Sequence, residues 1–174
     1  MQVRETLVFT PLRRLVSSLR IWPTARGWAL AAAVGAVALG AELGIGLAGG
    51  FLRPTPGDWA VLPLTLALAV VVPALGEEAV FRGLLTPERD EGVGLWRAIL
   101  SSTAVFVLWH VVEALTFMPA AAPVFLRGDF LATTAVLGLA CGGLRWRTGS
   151  LRPAVLLHWL EVAGWRIWFG GGML

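Results

Sequence analysis

The chain contains no lysine, no tyrosine and no asparagine, and its single cysteine is Cys141. One thiol excludes an intrachain disulfide. Because lysine is absent, arginine alone supplies the positive charge behind the formal net charge of +3. Charged residues are scarce overall, at 14% of the 174 residues, against about 25% in an average soluble domain. No basic stretch alternates with aromatic residues, so a nucleic-acid partner is not expected.

Apolar residues dominate the composition instead. They make up 57% of the chain, and the mean hydropathy is +0.76. A helix needs about 20 mostly apolar residues to cross a bilayer, and five segments approach that length. We therefore predict an all-α fold, a polytopic membrane helix bundle with about five transmembrane helices. The predicted spans are 28–52, 59–75 or beyond, 95–118, 130–144 and 151–169.

The first residues have a different character from the rest of the chain. They mix arginine with Leu, Val, Ile and Trp, and they lack the apolar core of a cleavable signal peptide. We expect residues 1–27 to form an amphipathic segment at the membrane interface, interrupted at Pro11. Residues 28–174 are expected to form the transmembrane domain.

The distribution of arginine predicts the orientation in the bilayer. Arginines cluster before the first span, between the second and third, and between the fourth and fifth, whereas the opposite loops hold only Arg53 and Arg127. Positive residues concentrate on the cytoplasmic side, so we expect a cytoplasmic N-terminus. Since a lysine-free composition indicates a GC-rich genome, we expect a multi-pass protein of a bacterial plasma (inner) membrane.

Ionisable side chains inside the predicted spans are the candidates for function, because such groups are costly in lipid and usually face the bundle interior. They are Glu42, Glu77, Glu78, Arg82, His110, Glu113, His158, Glu161 and Arg166. Both histidines of the chain are among them. We expect Glu42 to have a structural role, paired with Arg166 or another intramembrane charge.

The stretch "GEEAVFRG" places three of these residues at the end of an apolar run. Glu78 and Arg82 are four residues apart with the acid first, which favours an ion pair on a helix. Glu77 points about 100° away from Glu78, so it is left for another partner. Pro73 frees a backbone carbonyl and can bend the helix here. The alternative interpretation is a juxtamembrane charge cluster without chemistry.

Each histidine is followed by a glutamate three residues later: His110 by Glu113, and His158 by Glu161. A carboxylate on the same helix face can hold an imidazole in one tautomer. The alternative is a pair of core histidines with purely structural hydrogen bonds.

Two chemistries fit one glutamate and two histidines that converge from three helices. In the first, Glu77 is a general base that deprotonates a water oriented by an imidazole, while another donor stabilises the oxyanion. In the second, two histidines and a carboxylate bind a divalent metal such as zinc. Neither His-x-x-x-His nor Glu-x-x-His occurs, so no single helix carries a standard zinc motif.

Three motifs in this order resemble the CPBP family of CAAX-processing and bacteriocin-processing intramembrane endopeptidases, which are glutamic-type proteases. They are "EEAVFR" (77–82), "FVLWH" (106–110) and the last histidine of "RTGSLRPAVLLHWL" (147–160). The resemblance extends from Pro73 to Trp165. It implies hydrolysis of a peptide bond in a membrane-anchored protein or peptide substrate within the lipid bilayer. A mechanism without a cofactor is favoured, because the set has one free carboxylate and no obvious third metal ligand.

The resemblance also implies a role for each matching residue. Glu77 would be the catalytic base, His110 would bind the same water, and His158 would belong to the oxyanion site. The supporting residues would be Glu78, Arg82, Glu113 and Glu161.

One position departs from the family pattern. Asparagine usually stands four residues after the last histidine and binds the oxyanion, but here the residue is Val162 and the chain has no asparagine. Glu161, if protonated, or the indole N–H of Trp159 or Trp165 could donate instead. The "HWLEV" ending and the small size resemble a sorting-protease branch, whose members cut C-terminal membrane-anchored signals of exported proteins.

Three alternatives remain at this stage. A metal-dependent intramembrane hydrolase would use the same residues. A catalytically inactive substrate-binding or immunity membrane protein is favoured by Val162. A small transporter could use the buried charges as an ion relay, but the chain lacks paired halves. The sequence predicts no oligomeric state.

Overall fold

The computed structural model describes residues 2–55 and 62–171, with side chains from Thr10 onwards. All regular structure within these ranges is helical, which confirms the all-α prediction. The α-helices are α1 (Gln2–Arg20), α2 (Ala25–Gly49), α3 (Leu62–Ala69), α4 (Leu95–Leu115), α5 (Ala122–Phe125), α6 (Gly128–Thr148) and α7 (Arg152–Trp168).

Three described helical segments are long and apolar enough to cross a membrane by themselves: α2, α4, and α3 with its continuation, over Leu62–Glu91. The pair Pro119–Phe125 and Gly128–Thr148, bent by 85°, makes a fourth if it counts as one span. Helix α7 has 17 residues, about 25 Å at 1.5 Å per residue and less than the roughly 30 Å hydrocarbon core. The helix bundle is thus confirmed, and the count of five spans is approximate. The predicted start of the second span, at 59, lies outside the described residues.

The helix continues without a break beyond α3, which ends at Ala69, in wider π-helical turns. These cover Val70–Glu77 and Ala79–Leu84. Pro73 lies inside the first of them, where its missing N–H interrupts the regular α-helical ladder. A π-helical turn redirects the side chains that follow it and is frequent at functional sites. Glu77 is the last residue of the first π-helical turn, and Glu78 lies between the two turns.

Helix α6 is the centre of the bundle. It packs against α2 and α4 and also contacts α7, which in turn packs on the π-helical part that follows α3. Gly138 lets α6 approach α4 closely, since a Cβ there would lie 2.7 Å from Cγ2 of Thr103. The largest apolar core draws on all five of these segments: it comprises Ala38, Phe81, Phe106, Leu137, Cys141, Leu144, Ala154 and Leu157.

The N-terminal helix α1 packs on the second π-helical turn and on the charged turn after it. Arg14 donates to the Leu84 carbonyl at 3.1 Å and pairs with Glu91. The expected interruption at Pro11 is wrong, because α1 continues through it; these tertiary contacts outweigh the local cost of proline. Leu12 and Leu19 stay exposed on α1, as an interfacial helix requires.

Candidate active site

A cavity of about 140 Å³ lies between the π-helical end of α3 and helices α4, α6 and α7. All three predicted catalytic residues line it. Its polar lining consists of Glu77, His110, Glu113, Thr134, His158, Glu161 and Arg166. Most of the remaining wall is apolar or aromatic.

Glu77 has a carboxylate oxygen without a hydrogen-bond partner. Its Oε2 is buried, accepts no hydrogen bond and lies 3.9 Å from Nε2 of His158. That separation is too long for a direct hydrogen bond but suits a single bridging water. As predicted, Glu77 is free to interact with a group that enters the cavity.

Glu78 has the opposite surroundings. Its Oε1 accepts from Nη1 of Arg82 at 2.9 Å, and neither side chain has any exposed surface. The predicted ion pair is therefore confirmed. The same oxygen lies 3.0 Å from Nδ1 of His158, and a carboxylate that already accepts from arginine is an acceptor here too. Nδ1 consequently carries a proton, and the ring turns Nε2 towards the cavity.

The ring of Phe106 lies between polar side chains of the site and contacts three of them. The guanidinium of Arg82 lies over its ring at 4.2 Å from the centroid, a favourable cation–π geometry. Its ring also makes edge contacts with the imidazoles of His110 and His158, at centroid distances of 4.8 and 5.8 Å. The "FVLWH" motif thus supplies a buried aromatic spacer as well as a histidine.

His110 is oriented by the backbone of its own helix. Its Nδ1 lies 3.0 Å from the Phe106 carbonyl. Because a carbonyl only accepts, Nδ1 carries the proton, and Nε2 keeps a lone pair. The expectation that Glu113 fixes this tautomer is wrong, since the carbonyl one turn back already binds Nδ1. Glu161 likewise does not bind Nδ1 of His158, which Glu78 binds from another helix.

Three ligand atoms in the cavity lie close enough to hold a metal ion. They belong to Glu77, His110 and Glu113 and are within 4.8 Å of one another. Catalytic zinc commonly has three protein ligands, with bonds of about 2.0–2.1 Å, which places ligand atoms roughly 3.4 Å apart. The set offers three ligand atoms of the kinds that zinc binds. It differs from the predicted set of two histidines and a carboxylate, because the third ligand atom belongs to Glu113 and not to His158.

The position of the family asparagine faces the same cavity. Val162 lines it, one helical turn after His158. Of the proposed substitutes, Trp159 is not available, because its indole N–H donates to the Leu66 carbonyl at 3.0 Å. Trp165 and Glu161 do line the cavity.

Sequence reasoning listed Arg166 among the intramembrane charges but gave it no part in the active site. Arg166 lies one turn beyond Val162 and lines the cavity, and its buried Nε has no hydrogen-bond partner. The expected pair with Glu42 is not formed, since both carboxylate oxygens of Glu42 are buried without a partner. The spacing of 158, 162 and 166 along one helix face was the signal for Arg166.

The fold and the site together define a multi-pass helical membrane protein with a carboxylate–imidazole cluster in its interior. The family profile of type II CAAX prenyl endopeptidase Rce1-like proteins matches residues 59–163. Because the match covers more than half of the chain, the chain belongs to this family of membrane proteases, which act on membrane-anchored proteins. This confirms the resemblance seen in the three motifs. No curated protein and no solved structure matches the chain.

Proposed function

We propose that the chain is an intramembrane endopeptidase of glutamic type, which hydrolyses a peptide bond of a membrane-anchored substrate with a water activated by Glu77. One observation carries the proposal: the unpartnered Oε2 of Glu77 lies 3.9 Å from Nε2 of His158 inside a cavity with mainly apolar walls. A carboxylate left without a partner there is suited to receive a proton during a reaction.

The water would be held between Glu77 and the two imidazoles. His110 presents the lone pair of Nε2, which accepts a hydrogen bond from the water. Glu77 takes a proton as the water oxygen bonds to the substrate carbonyl carbon, and the carbonyl electron pair moves onto the oxygen. When the C–N bond breaks, Glu77 returns the proton to the departing amine.

Two side chains are suited to stabilise the oxyanion. Glu78 binds Nδ1 of His158, so an N–H at Nε2 would donate into the cavity. Arg166 has an unpartnered Nε on the same wall. Donors fixed in advance near the developing charge contribute most of the rate enhancement in many enzymes. We assign to this pair the role that asparagine has in the family.

The substrate enters from the bilayer as a helix that must unwind locally, because a helical amide is hydrogen-bonded and sterically shielded. The arginine distribution supports a cytoplasmic N-terminus, and the lysine-free composition supports a bacterial plasma membrane location. The resemblance of "HWLEV" (158–162) to the sorting-protease branch supports a C-terminal sorting signal of an exported protein as the target.

A metal-dependent mechanism is the second candidate, favoured by the clustering of Glu77, His110 and Glu113. These residues would hold the ion, and a bound zinc would supply Lewis acidity to the water.

The test uses the purified chain in lipid nanodiscs with a pool of synthetic single-span peptides, analysed by mass spectrometry. We expect defined cleavage products that vanish for His110→Ala and persist after dialysis against a chelator. Loss of activity on chelation, regained with zinc, would favour the metal-dependent candidate. Intact peptides throughout would overturn the protease proposal and favour a binding or immunity role.

A further inference from the structure

A second cavity, of about 230 Å³, lies beside the first, between α2, α6, α7 and the chain that follows α2. Phe130, Glu161 and Trp165 line both cavities. An occupant of the second cavity would therefore be one side chain away from the proposed site of hydrolysis. The mechanism described above does not use this space.

Two carboxyl groups face the second cavity. Glu42 has only 4% of its surface exposed, and neither of its oxygens has a hydrogen-bond partner. Glu161 contributes a further buried and unpartnered oxygen. Arg166 lines the first cavity, as Glu161 also does, but within the described residues no hydrogen bond or ion pair joins Arg166 to either carboxyl group. A buried carboxylate that is ionised requires a compensating cation, which a basic side chain entering this cavity would provide.

The walls indicate which kind of cation fits. They are mainly aliphatic and aromatic, and the aromatic residues are Phe51, Phe130, Trp165 and Phe169. Such walls cover the long alkyl stem of arginine or lysine, and aromatic faces attract its charged end.

A bare metal ion fits this cavity less well. Calcium takes six or more oxygen ligands. Besides the two carboxyl groups, the polar lining is limited to Thr133, whose hydroxyl already donates to the Phe130 carbonyl at 2.8 Å.

We infer that the cavity between Glu42 and Glu161 is a specificity pocket that binds an arginine or lysine side chain of the substrate, close in sequence to the cleaved bond. The inference rests on the proposed protease function and defines its substrate class further. It predicts substrates with one basic residue that reaches the outer half of the bundle, where α2 and α7 end.

The first test needs no variant of the protein. Each peptide that the wild-type chain cleaves in nanodiscs is resynthesised with citrulline in place of arginine, because citrulline keeps the shape and removes the charge. We expect at least tenfold lower kcat/KM for citrulline at one position near the cleaved bond. Equal cleavage of arginine and citrulline peptides at every position would overturn the pocket and leave the protease function intact.

The second test measures binding without catalysis. n-Pentylguanidinium and its neutral analogue n-pentylurea are titrated against the chain in nanodiscs, and the shift of the thermal unfolding midpoint is recorded. We expect stabilisation by the guanidinium alone, lost in Glu42→Gln and Glu161→Gln and retained in Glu113→Gln. Equal shifts for both compounds, or loss only in Glu113→Gln, would overturn the pocket. If no peptide is cleaved but this pattern holds, the protease proposal fails and the cationic site stands.

Discussion

At the scale of single residues, the environments of two adjacent glutamates divide their roles. Glu78 is fully buried and bound by Arg82 and His158. Glu77 has a buried oxygen without a partner. A carboxylate held by arginine and imidazole is a structural anchor, whereas one that faces a cavity can exchange protons with a water. The chemistry of the site follows from this asymmetry.

Arg82→Met tests the anchor. The change leaves Glu78 buried with only an imidazole beside it, and breaking a buried pair by removing one partner costs about 3–5 kcal/mol. We expect the free energy of unfolding to fall by that amount, measured by denaturation in detergent followed through tryptophan fluorescence. Arg97→Met, at an exposed position, is the control. A cost no larger than that of the control would contradict the anchor role.

Arg166→Gln tests the proposed oxyanion donor. Loss of one such donor lowers kcat by roughly 10²–10³-fold, so we expect a fall of about 100-fold with KM little changed. The free energy of unfolding should stay unchanged, because the Nε of Arg166 has no hydrogen-bond partner to lose. The measurement is steady-state cleavage of a nanodisc peptide substrate, with Arg97→Gln as control. Unchanged kcat for Arg166→Gln would remove this residue from the mechanism.

At the scale of the elements, close packing of α6 against α4 keeps the site in place. Gly138 of α6 lies against Thr103 of α4, and a Cβ at 138 would also lie 3.3 Å from Nη2 of Arg82. The glycine thus determines how near the two helices come and how much room the buried guanidinium has.

Gly138→Ala is expected to destabilise the protein by about 1–3 kcal/mol, the usual cost of overpacking. Gly143→Ala on the same helix is the matched control, since a Cβ there meets nothing within 4 Å. The control should be neutral or up to about 1 kcal/mol more stable, because alanine favours the helix. Denaturant unfolding measures the free energy of unfolding of both variants. Equal changes in the two would show that the close packing of α6 against α4 does not depend on glycine at 138.

Sequence reasoning found the elements because long apolar runs are local signals. Helix α4 begins at Leu95, as predicted, and α7 begins at Arg152, one residue from its predicted start. The pair of Glu78 and Arg82 was also predictable, since its spacing is intrahelical. The π-helical turns were not predictable, because they depend on how the chain around Pro73 packs against α7.

The hydrogen-bond partners of the histidines could not be predicted from the sequence, because they depend on the tertiary structure. His158 binds Glu78, a residue 80 positions away, and no pattern within α7 contains that partner. The role of Glu113 in fixing His110 was wrongly predicted, because helix-face spacing does not show that a backbone carbonyl is nearer. The second cavity was not predicted either, since its walls come from helices far apart in sequence.

At the scale of the whole molecule, charge is concentrated at one end of the bundle. Arg13 and Arg14 of α1 bind the acidic turn that contains Glu88, Asp90 and Glu91. Arginines outnumber acidic residues in the N-terminal segment and in the loops at this end of the bundle. This end is therefore the one expected on the cytoplasmic side.

Cysteine labelling tests this orientation. Cys141 has no exposed surface, so it gives little background. Asp90→Cys is expected to react with a membrane-impermeant maleimide in inside-out vesicles and not in intact spheroplasts. Arg53→Cys, at the opposite end, should show the reverse pattern. Labelling of residue 90 from outside would invert the proposed topology.

The central claim is that Glu77 activates the hydrolytic water. The most direct measurement is single-turnover cleavage, by chelator-treated protein in nanodiscs, of a peptide that the wild-type chain cuts, with Asp90→Asn as control. Since a general base contributes about 10²–10⁴-fold, Glu77→Gln should slow cleavage by at least about 100-fold with an unchanged unfolding midpoint. A Glu77→Gln protein that cleaves at the wild-type rate would contradict the account.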